Sequence, residues 1–236
     1  MARDRSEKNL TIISIGLNAN DALRNTYNSI EPLLLKDVKW IVVLSNSPED
    51  LSYLKTARLI TGLDKSLYNA LNIGIDNVST DYFMFIHAGD TLINHNQFAK
   101  SFDLIRTKKL DLILGGAKIG KRIHLSQKWR PWMFKYNVQP PHLPIIYKTN
   151  FIGSTRFDEV IPVISDFFML KKIFDLKPNY MHSGYVYISM ELGGLTSSGI
   201  KSFFFVSKLF KQINNDNLFY SFMKLLSRFL IKIYLK

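Results

Sequence analysis

The segment from Asp64 to Gly74 carries side chains that could bind a ligand if it is helical. On a helix, Asp64, Tyr68 and Asn72 recur at steps of four and share one face. Apolar residues share another face and would pack inward: Leu67, Leu71 and Ile75. The polar face can hydrogen-bond a ligand. A structural alternative makes Asp64 an N-cap, Asn72 a solvated residue and Gly74 a loosened helix end.

A second segment, His87-Ala88-Gly89-Asp90, directly follows the continuous apolar run Tyr82–Ile86. In open parallel sheets, ligands bind beyond the carboxyl ends of the strands, so Asp90 falls where a site is expected. A carboxylate there can hold Mg²⁺ or Mn²⁺ against a diphosphate and offset the charge that grows as a nucleotide leaves. Asp90 is therefore the candidate metal ligand, and a plain Gly-Asp turn is the alternative.

Strand and helix patterns alternate through the first half of the chain, and these elements must position both segments. Apolar runs predict strands and helical spacing predicts helices: strands Leu10–Ile15, Val38–Leu44, Tyr82–Ile86 and Leu110–Leu114, and helices Asp21–Leu34, Asp50–Leu59 and Asp64–Ile75. Continuous apolar strands between helices are typical of a mostly parallel sheet covered on both faces. The sequence therefore predicts an α/β fold.

The pattern becomes irregular over residues 121–144, where Trp129 and Trp132 are interspersed with Lys and Arg. This composition favours a substrate-facing loop region, although packing is the default role of each tryptophan. Beyond it, Asp166–Phe174 has the spacing of a helix and Tyr185–Met190 that of a strand. These later elements are expected to extend the same sheet.

Together the segments resemble the family 2 glycosyltransferases of the GT-A fold, especially bacterial enzymes of O-antigen (lipopolysaccharide), capsule and exopolysaccharide assembly. In that family a helix reading approximately Asp-x-Gly-Ile-Tyr-Asp-Ala-Met-Asn-x-Gly precedes a strand that ends in an acidic metal-binding motif. The helix here matches at five positions: Asp64, Tyr68, Ala70, Asn72 and Gly74. Later matches keep the family's order: Pro141-His142, Ile145–Lys148, Phe157-Asp158-Glu159, Ser165-Asp166 and the Gly-Gly loop Glu191–Ser197. The resemblance covers approximately residues 10–198.

The resemblance implies a hexosyltransferase-type enzyme that moves a sugar from a nucleotide-sugar donor to an acceptor with inversion. It implies donor binding by Asp64, Tyr68, Asn72, Ser45, Asn46, His87 and Asp90, with Asp90 also holding the divalent Mg²⁺ or Mn²⁺. It implies acceptor or diphosphate contact by His142, Gly193, Gly194 and Ser197; for His142, a satisfied loop histidine is an equal alternative. Asp166 would be the general base that removes the proton of the acceptor hydroxyl. Its alternative role is to cap its helix or favour the helix dipole.

Two places depart from the family's pattern. Where the family ends its second strand in Asp-Gly-Ser-x-Asp, this chain reads Leu44-Ser45-Asn46-Ser47-Pro48-Glu49, so recognition of the donor base must differ. Where the family often has further carboxylates, it reads His87-Ala88-Gly89, so phosphate and water would complete the shell of a metal at Asp90. A catalytically reduced binding or partner subunit of the same fold stays open as the alternative.

The composition indicates an anionic partner. Lys and Arg number 31 and Asp and Glu 19, a formal charge of +12, which suits an anionic membrane, a phosphorylated substrate or nucleic acid. The absence of cysteine excludes disulfides and thiolate metal sites. The charged first residues lack the apolar stretch of a secretory signal, and no apolar run reaches the roughly 18 residues of a membrane span. We therefore expect a cytoplasmic protein.

Residues 201–236 are predicted to form a helical tail after a catalytic domain of residues 1–200. A basic stripe recurs at every fourth position, beside apolar residues: Lys224, Arg228, Lys232 and Lys236. This pattern is typical of an amphipathic helix on an anionic membrane surface, where a lipid-linked saccharide acceptor would be met. A helix docked on the core is the alternative. Nucleic acid is not the expected partner, because the cations are interleaved with aliphatic rather than stacking aromatic residues. The expected location is the inner face of the bacterial cytoplasmic membrane, as a peripheral protein.

Overall fold

Strands and helices alternate along the chain in the computed structural model, which describes residues 9–16, 20–34, 38–46, 52–62, 66–190, 199–214 and 218–234. The strands are β1 (Leu10–Gly16), β2 (Val38–Leu44), β3 (Ala57–Thr61), β4 (Tyr82–Phe85), β5 (Thr91–Leu92), β6 (Leu112–Ile119), β7 (Arg122–His124), β8 (Ile145–Lys148) and β9 (Tyr180–Met190). The helices are α1 (Asn20–Leu34), α2 (Leu67–Asp76), α3 (His95–Thr107), α4 (Thr149–Ile152), α5 (Ser165–Asp175), α6 (Gly199–Asn214) and α7 (Leu218–Tyr234). Short 3-10 helices span Ser52–Leu54 and Pro131–Tyr136.

The first half of the sheet is parallel, in the order β3-β2-β1-β4. Its inner strands are continuous apolar runs whose residues are almost all buried, as expected for strands covered on both faces. The few buried polar side chains pair across strands: Trp40 Nε1 donates to Ser14 Oγ over 2.9 Å, and Ser14 Oγ donates to the Ile86 carbonyl. This half provides the strand ends that carry Ser45, Asn46 and the His87–Asp90 segment.

The second half of the sheet mixes directions. β8 runs antiparallel to both β4 and β6, β6 pairs with β9 in parallel, and β5 and β7 pair antiparallel with β9 and β6. The α/β fold with flanking helices is thus confirmed, with parallel pairing concentrated in the first half. β8 introduces the opposite direction between two strands that run the same way, which a pattern of apolar runs does not encode.

Two local predictions were wrong. The predicted helix Asp50–Leu59 is, in its described part, a 3-10 turn followed by β3, because residues from Ala57 onward pair with the edge of β2. Leu67 was expected to pack inward, but it is 47% exposed. The buried stripe of α2 instead runs through Tyr68, Leu71, Asn72 and Ile75, at i, i+3, i+4 and i+7.

Gly74 lies inside α2 and does not loosen its end. A Cβ at this position would overlap Cγ2 of Ile13 on β1, so the absence of a side chain lets the helix pack closely on the sheet. The N-cap of α2 is Ser66, whose side chain accepts from Asn69 N at 3.1 Å. Asp64, for which the alternative was a capping role, lies outside the described residues.

The C-terminal helices pack on the domain. Phe210 of α6 contacts Phe167 and Phe168 of α5, with ring centroids 4.7 and 6.0 Å apart. α7 packs against the 3-10 helix Pro131–Tyr136. Within the described part of the chain, no helix is both long enough and apolar enough to cross a bilayer.

Candidate functional site

The turn from His87 to Asp90 is fixed by α1. Thr26 Oγ lies 2.8 Å from the Asp90 carbonyl oxygen and 3.0 Å from that of His87, and it accepts from the Gly89 N–H over 3.1 Å. Gly89 adopts a φ of 96°, which favours glycine. Asp90 is 8% exposed. The turn therefore presents Asp90 from a rigid backbone just past the end of β4.

His87 reaches from this turn toward the loop that precedes β8. Its ring lies 6.0 Å from that of His142 and 6.0 Å from that of Phe85. Nδ1 of His87 is buried and has no hydrogen-bond partner among the described residues. Burial, followed by the proximity of His142, lowers the pKa of His87 from 6.5 to about 3. His87 is therefore neutral at physiological pH.

Asp166 lies beside His142, in the first turn of α5. Gln139 Nε2 donates to Asp166 Oδ2 over 2.6 Å, and His142 Nδ1 is 3.8 Å from the same oxygen. Burial lowers the pKa of His142, and the carboxylate of Asp166 opposes that shift. The Asp166 carboxylate accepts a hydrogen bond from Gln139 and none from the backbone of α5, so Asp166 does not cap this helix. Its position in the first turn nevertheless suits the helix dipole.

The polar residues of α2 hold the segment that leads into α5. Asn72 pairs with the Phe157 backbone on both sides, its Nδ2 donating to the carbonyl over 3.0 Å and its Oδ1 accepting from the N–H over 2.9 Å. Tyr68 Oη accepts from the Ser165 N–H over 3.1 Å. Burial raises the pKa of Tyr68 far above its usual value, so its hydroxyl stays protonated. These two side chains thus position Asp166, and their predicted donor contacts stay predictions.

The other predicted site residues lie at the carboxyl ends of strands or outside the described part of the chain. Ser45 and Asn46 follow β2, and the Ser45 N–H donates to the Gly16 carbonyl at the adjoining strand end over 3.4 Å. Gly193, Gly194 and Ser197, like Asp64, lie outside the described residues. The carboxyl edge of the parallel strands therefore carries Ser45 and Asn46 after β2 and Asp90 after β4.

The two tryptophans of the irregular segment have different environments. Trp129 is 1% exposed, and its Nε1 donates to the Val138 carbonyl over 3.1 Å, so its role is packing. Trp132, on the 3-10 helix, is 51% exposed.

Gln139 is the residue that sequence reasoning missed. The only signal near it is the run Gln139-Pro140-Pro141-His142, in which two fixed proline φ angles hold the glutamine and the histidine in an extended relation. Nothing in that run indicates that both side chains meet the carboxylate of Asp166, on the helix that follows.

The described residues supply few metal ligands. No group of three His, Asp or Glu side chains converges among residues 9–16, 20–34, 38–46, 52–62, 66–190, 199–214 and 218–234. Asp90 would be a lone carboxylate, and a hard cation held there would need phosphate and water oxygens for the rest of its shell. The donor set thus fits a metal that arrives with a diphosphate rather than one bound by the protein alone.

Gln139, His142 and Asp166, with His87 next to His142, form a cluster that we call the crevice, and its carboxylate is half-buried. The carboxylate lies beside the neutral imidazole of His142 and can accept a proton from a hydroxyl group. The carboxyl edge of the parallel strands carries polar groups at strand ends, where nucleotides bind in open α/β sheets.

No protein-family model matches the sequence, and no curated protein matches it. Among solved structures, the chain is similar to Staphylococcus aureus TarS 1-349 in complex with UDP, with a TM-score of 0.62, 16% identity, and coverage of 94% of this chain and 70% of that one. The same protein in complex with UDP-GlcNAc gives a TM-score of 0.62 at 15% identity, covering 94% and 71%.

The mannosyltransferase PcManGT from Pyrobaculum calidifontis, in complex with GDP-Man and Mn²⁺, is similar at a TM-score of 0.61 and 12% identity, covering 90% of this chain and 66% of that one. The chain spans only 43% of a longer TarS chain. These likenesses show the fold, an α/β arrangement of the GT-A kind with a mixed sheet flanked by helices.

Proposed function

We propose that this chain is an inverting, family 2-type glycosyltransferase that moves a hexosyl unit from a nucleotide-sugar donor to a saccharide acceptor. One observation carries the proposal: a chain of contacts links the turn after β4 to the carboxylate on α5. The His87 ring lies 6.0 Å from His142, and His142 Nδ1 lies 3.8 Å from Asp166 Oδ2. This contact chain supports a site in which the segment proposed to bind the donor lies next to the residue proposed to act on the acceptor.

Asp166 acts on the acceptor. As the acceptor oxygen attacks the anomeric carbon, its proton passes to the Asp166 carboxylate, and the bond from that carbon to the nucleoside diphosphate breaks with its electron pair. The sugar is transferred with inversion in a single displacement, so one base and one stabilised leaving group are sufficient. His87 and His142 stay neutral because burial lowers the pKa of each.

In this proposal, the nucleoside diphosphate leaving group is bound near Asp90. When a Mg²⁺ or Mn²⁺ ion is bound with the donor, it neutralises charge on the diphosphate. Asp90 would be its principal protein ligand, and Ser45 and Asn46 would contact the nucleoside. The UDP, UDP-GlcNAc and GDP-Man in the names of the similar structures support a nucleotide-sugar donor for this chain.

The acceptor is proposed to be lipid-linked, as in synthesis of a bacterial O-antigen, capsule or other surface polysaccharide. The supporting observation is the outward face of α7, where four large apolar side chains are 42–57% exposed: Met223, Leu226, Phe229 and Leu230. α7 also packs on the domain, so this helix has one packed face and one exposed apolar face. This face, in a chain of charge +12, suits peripheral attachment to the cytoplasmic face of an anionic membrane.

A thermal-shift screen across nucleotide sugars, with and without Mn²⁺, tests the donor class. We expect one nucleotide class to raise the melting temperature, because a ligand that binds only the folded state stabilises it. Asp90→Asn should remove the Mn²⁺-dependent part of that shift, and Asp103→Asn, at an exposed position on α3, should not. Equal shifts in Asp90→Asn and wild type would remove Asp90 from the metal site.

The competing proposal is a binding or partner subunit of the same fold, which the single carboxylate at Asp90 favours. A donor-stabilised protein that neither hydrolyses nor transfers the sugar, with or without Mn²⁺, would support that alternative. Transfer or donor hydrolysis by the purified chain would reject it.

A further inference from the structure

Gln139 contacts the proposed base in a fixed orientation. Its Nε2 donates to Asp166 Oδ2 over 2.6 Å, while its Oε1 is buried without a hydrogen-bond partner among the described residues. A buried, unpaired amide oxygen is unfavourable, so the side chain is held in place by its other end. Reversing the amide would place two oxygens against each other whenever the carboxyl is ionised.

The two side chains that approach the Asp166 carboxylate both lie next to the same oxygen. Gln139 Nε2 and His142 Nδ1 lie 2.6 and 3.8 Å from Oδ2, and no described residue bonds Oδ1. One oxygen is therefore occupied by the protein, and the other is left for a substrate proton.

The groups that face Asp166 from the surrounding elements are uncharged at neutral pH. His142 lies before β8 with His87 behind it, and burial lowers the pKa of both imidazoles. Tyr68 on α2 and Tyr147 on β8 have pKa values raised by burial and by the charge of Asp166. Among the described residues, Gln139 is the side chain that donates a hydrogen bond to this carboxylate, and a hydrogen bond to a charged acceptor is stronger than one between neutral groups.

We propose that Gln139 is a positioning residue for catalysis, which clamps Oδ2 of Asp166 and aims Oδ1 at the acceptor hydroxyl. This inference rests on the proposed glycosyl transfer. It assigns a role to a residue that is not part of the matching motifs and that touches neither donor nor acceptor.

The test combines kinetics with a measurement that needs no turnover. Gln139→Leu removes the amide at similar size, and we expect kcat for transfer to fall about tenfold to a hundredfold, with donor KM nearly unchanged, because the carboxylate loses its alignment. Gln139→Glu should also lower kcat with donor KM nearly unchanged, because it replaces the donor facing Oδ2 by a second acceptor.

Infrared spectroscopy of the Asp166 carboxylate supplies the independent measurement. Its stretching band is identified by its loss in Asp166→Asn, and the frequency of that band should shift in Gln139→Leu, because the hydrogen bond to Oδ2 is lost. Gln127→Leu, at an exposed glutamine of the same segment, is the matched control and should leave both readouts unchanged.

The outcomes separate the two proposals. If wild type transfers no sugar but the infrared band still shifts in Gln139→Leu, the proposed function is wrong and the clamp is real. An unshifted band, even alongside a uniform loss of rate, would overturn the positioning role.

Discussion

In the crevice, polar side chains are largely shielded from solvent, whereas on the C-terminal helix α7 large apolar side chains are exposed to it. In the crevice, His142 and Asp166 are only 19% and 18% exposed and lie close to the aromatic rings of Phe85 and Tyr147. On α7, four large apolar residues are exposed, while Ser221, Lys224 and Ser227 are half-buried. Burying polar groups and exposing an apolar patch both cost free energy, and both are features of surfaces that bind a ligand or partner.

The difference lies in how each region offsets that cost. In the crevice, Asp166 is hydrogen-bonded and the imidazoles are neutral, although His87 Nδ1 and Gln139 Oε1 lack partners among the described residues. On α7, one face packs on the domain, and nothing in the described chain covers the outward apolar face. The carboxylate of the crevice thus has a hydrogen bond from the protein itself, whereas the outward face of α7 would be buried only by another surface.

The largest expected effect is the loss of the base. Asp166→Asn should lower kcat by about 10²–10⁴-fold, the usual contribution of a positioned general base. Donor binding and the fold should persist, because the amide keeps the shape of the side chain. Single-turnover kinetics and a donor thermal shift would measure the two parts.

A weaker donor affinity in Asp166→Asn would move this residue out of the base role. That result would also indicate that the crevice, like the outward face of α7, depends on a ligand for its contacts.

An intermediate effect is expected on α7. Leu226→Gln with Phe229→Gln should weaken binding to anionic vesicles by about tenfold or more, because the apolar area that enters the lipid is lost. The melting temperature in solution should change little, since these side chains are 44% and 54% exposed. Vesicle co-sedimentation at low and high salt is the measurement.

Val160→Gln provides the control, because Val160 is an 89% exposed apolar residue outside the helical tail. Binding of the double variant at the level of wild type and Val160→Gln would show that the outward face of α7 is not the membrane contact.

The smallest effect is on the pH dependence of stability. The pKa of His87 is about 3 in the folded chain, against 6.5 when unfolded, so between these values the unfolded state binds more protons. The free energy of unfolding should therefore fall as pH is lowered from 6.5 toward 3, by at most about 1.4 kcal/mol per pH unit from this group.

Urea unfolding of wild type and His87→Gln across that window measures the slope, which should be shallower in the variant. His142, whose pKa is also lowered, adds to the slope in both proteins. Identical slopes would mean that His87 is not buried as a neutral imidazole, and the contrast between the crevice and α7 would be correspondingly weaker.

Most elements of the fold were predictable from local patterns. Apolar runs located β1, β2 and β4, and helical spacing located α1 and α5, because burial on both faces of a sheet or along one stripe of a helix leaves a period in the sequence. The predictions failed where the conformation or burial of a segment depends on the element it packs against. Residues from Ala57 form a strand because β2 offers an edge, and Leu67 is exposed because α2 packs on a different stripe.

The candidate site divides in the same way. Asp90 follows from its place after a strand, and Asp166 from a resemblance carried by the order of motifs. The use of Tyr68 and Asn72 as clamps did not follow, since both bond to a loop about 90 residues later in the chain. Periodicity put these residues on one face but did not indicate what that face meets.

The sequence by itself determined the alternation of elements, the α/β class, the strand-end position of Asp90 and the helical position of Asp166, since each depends on neighbours within a few residues. Only the tertiary structure decided which polar groups meet: Gln139 with Asp166, His87 with His142, and Asn72 with Phe157. Only it decided that Met223, Leu226, Phe229 and Leu230 of α7 face outward. These features depend on contacts between distant segments, whose side chains are brought together by packing of the sheet and helices rather than by any local period.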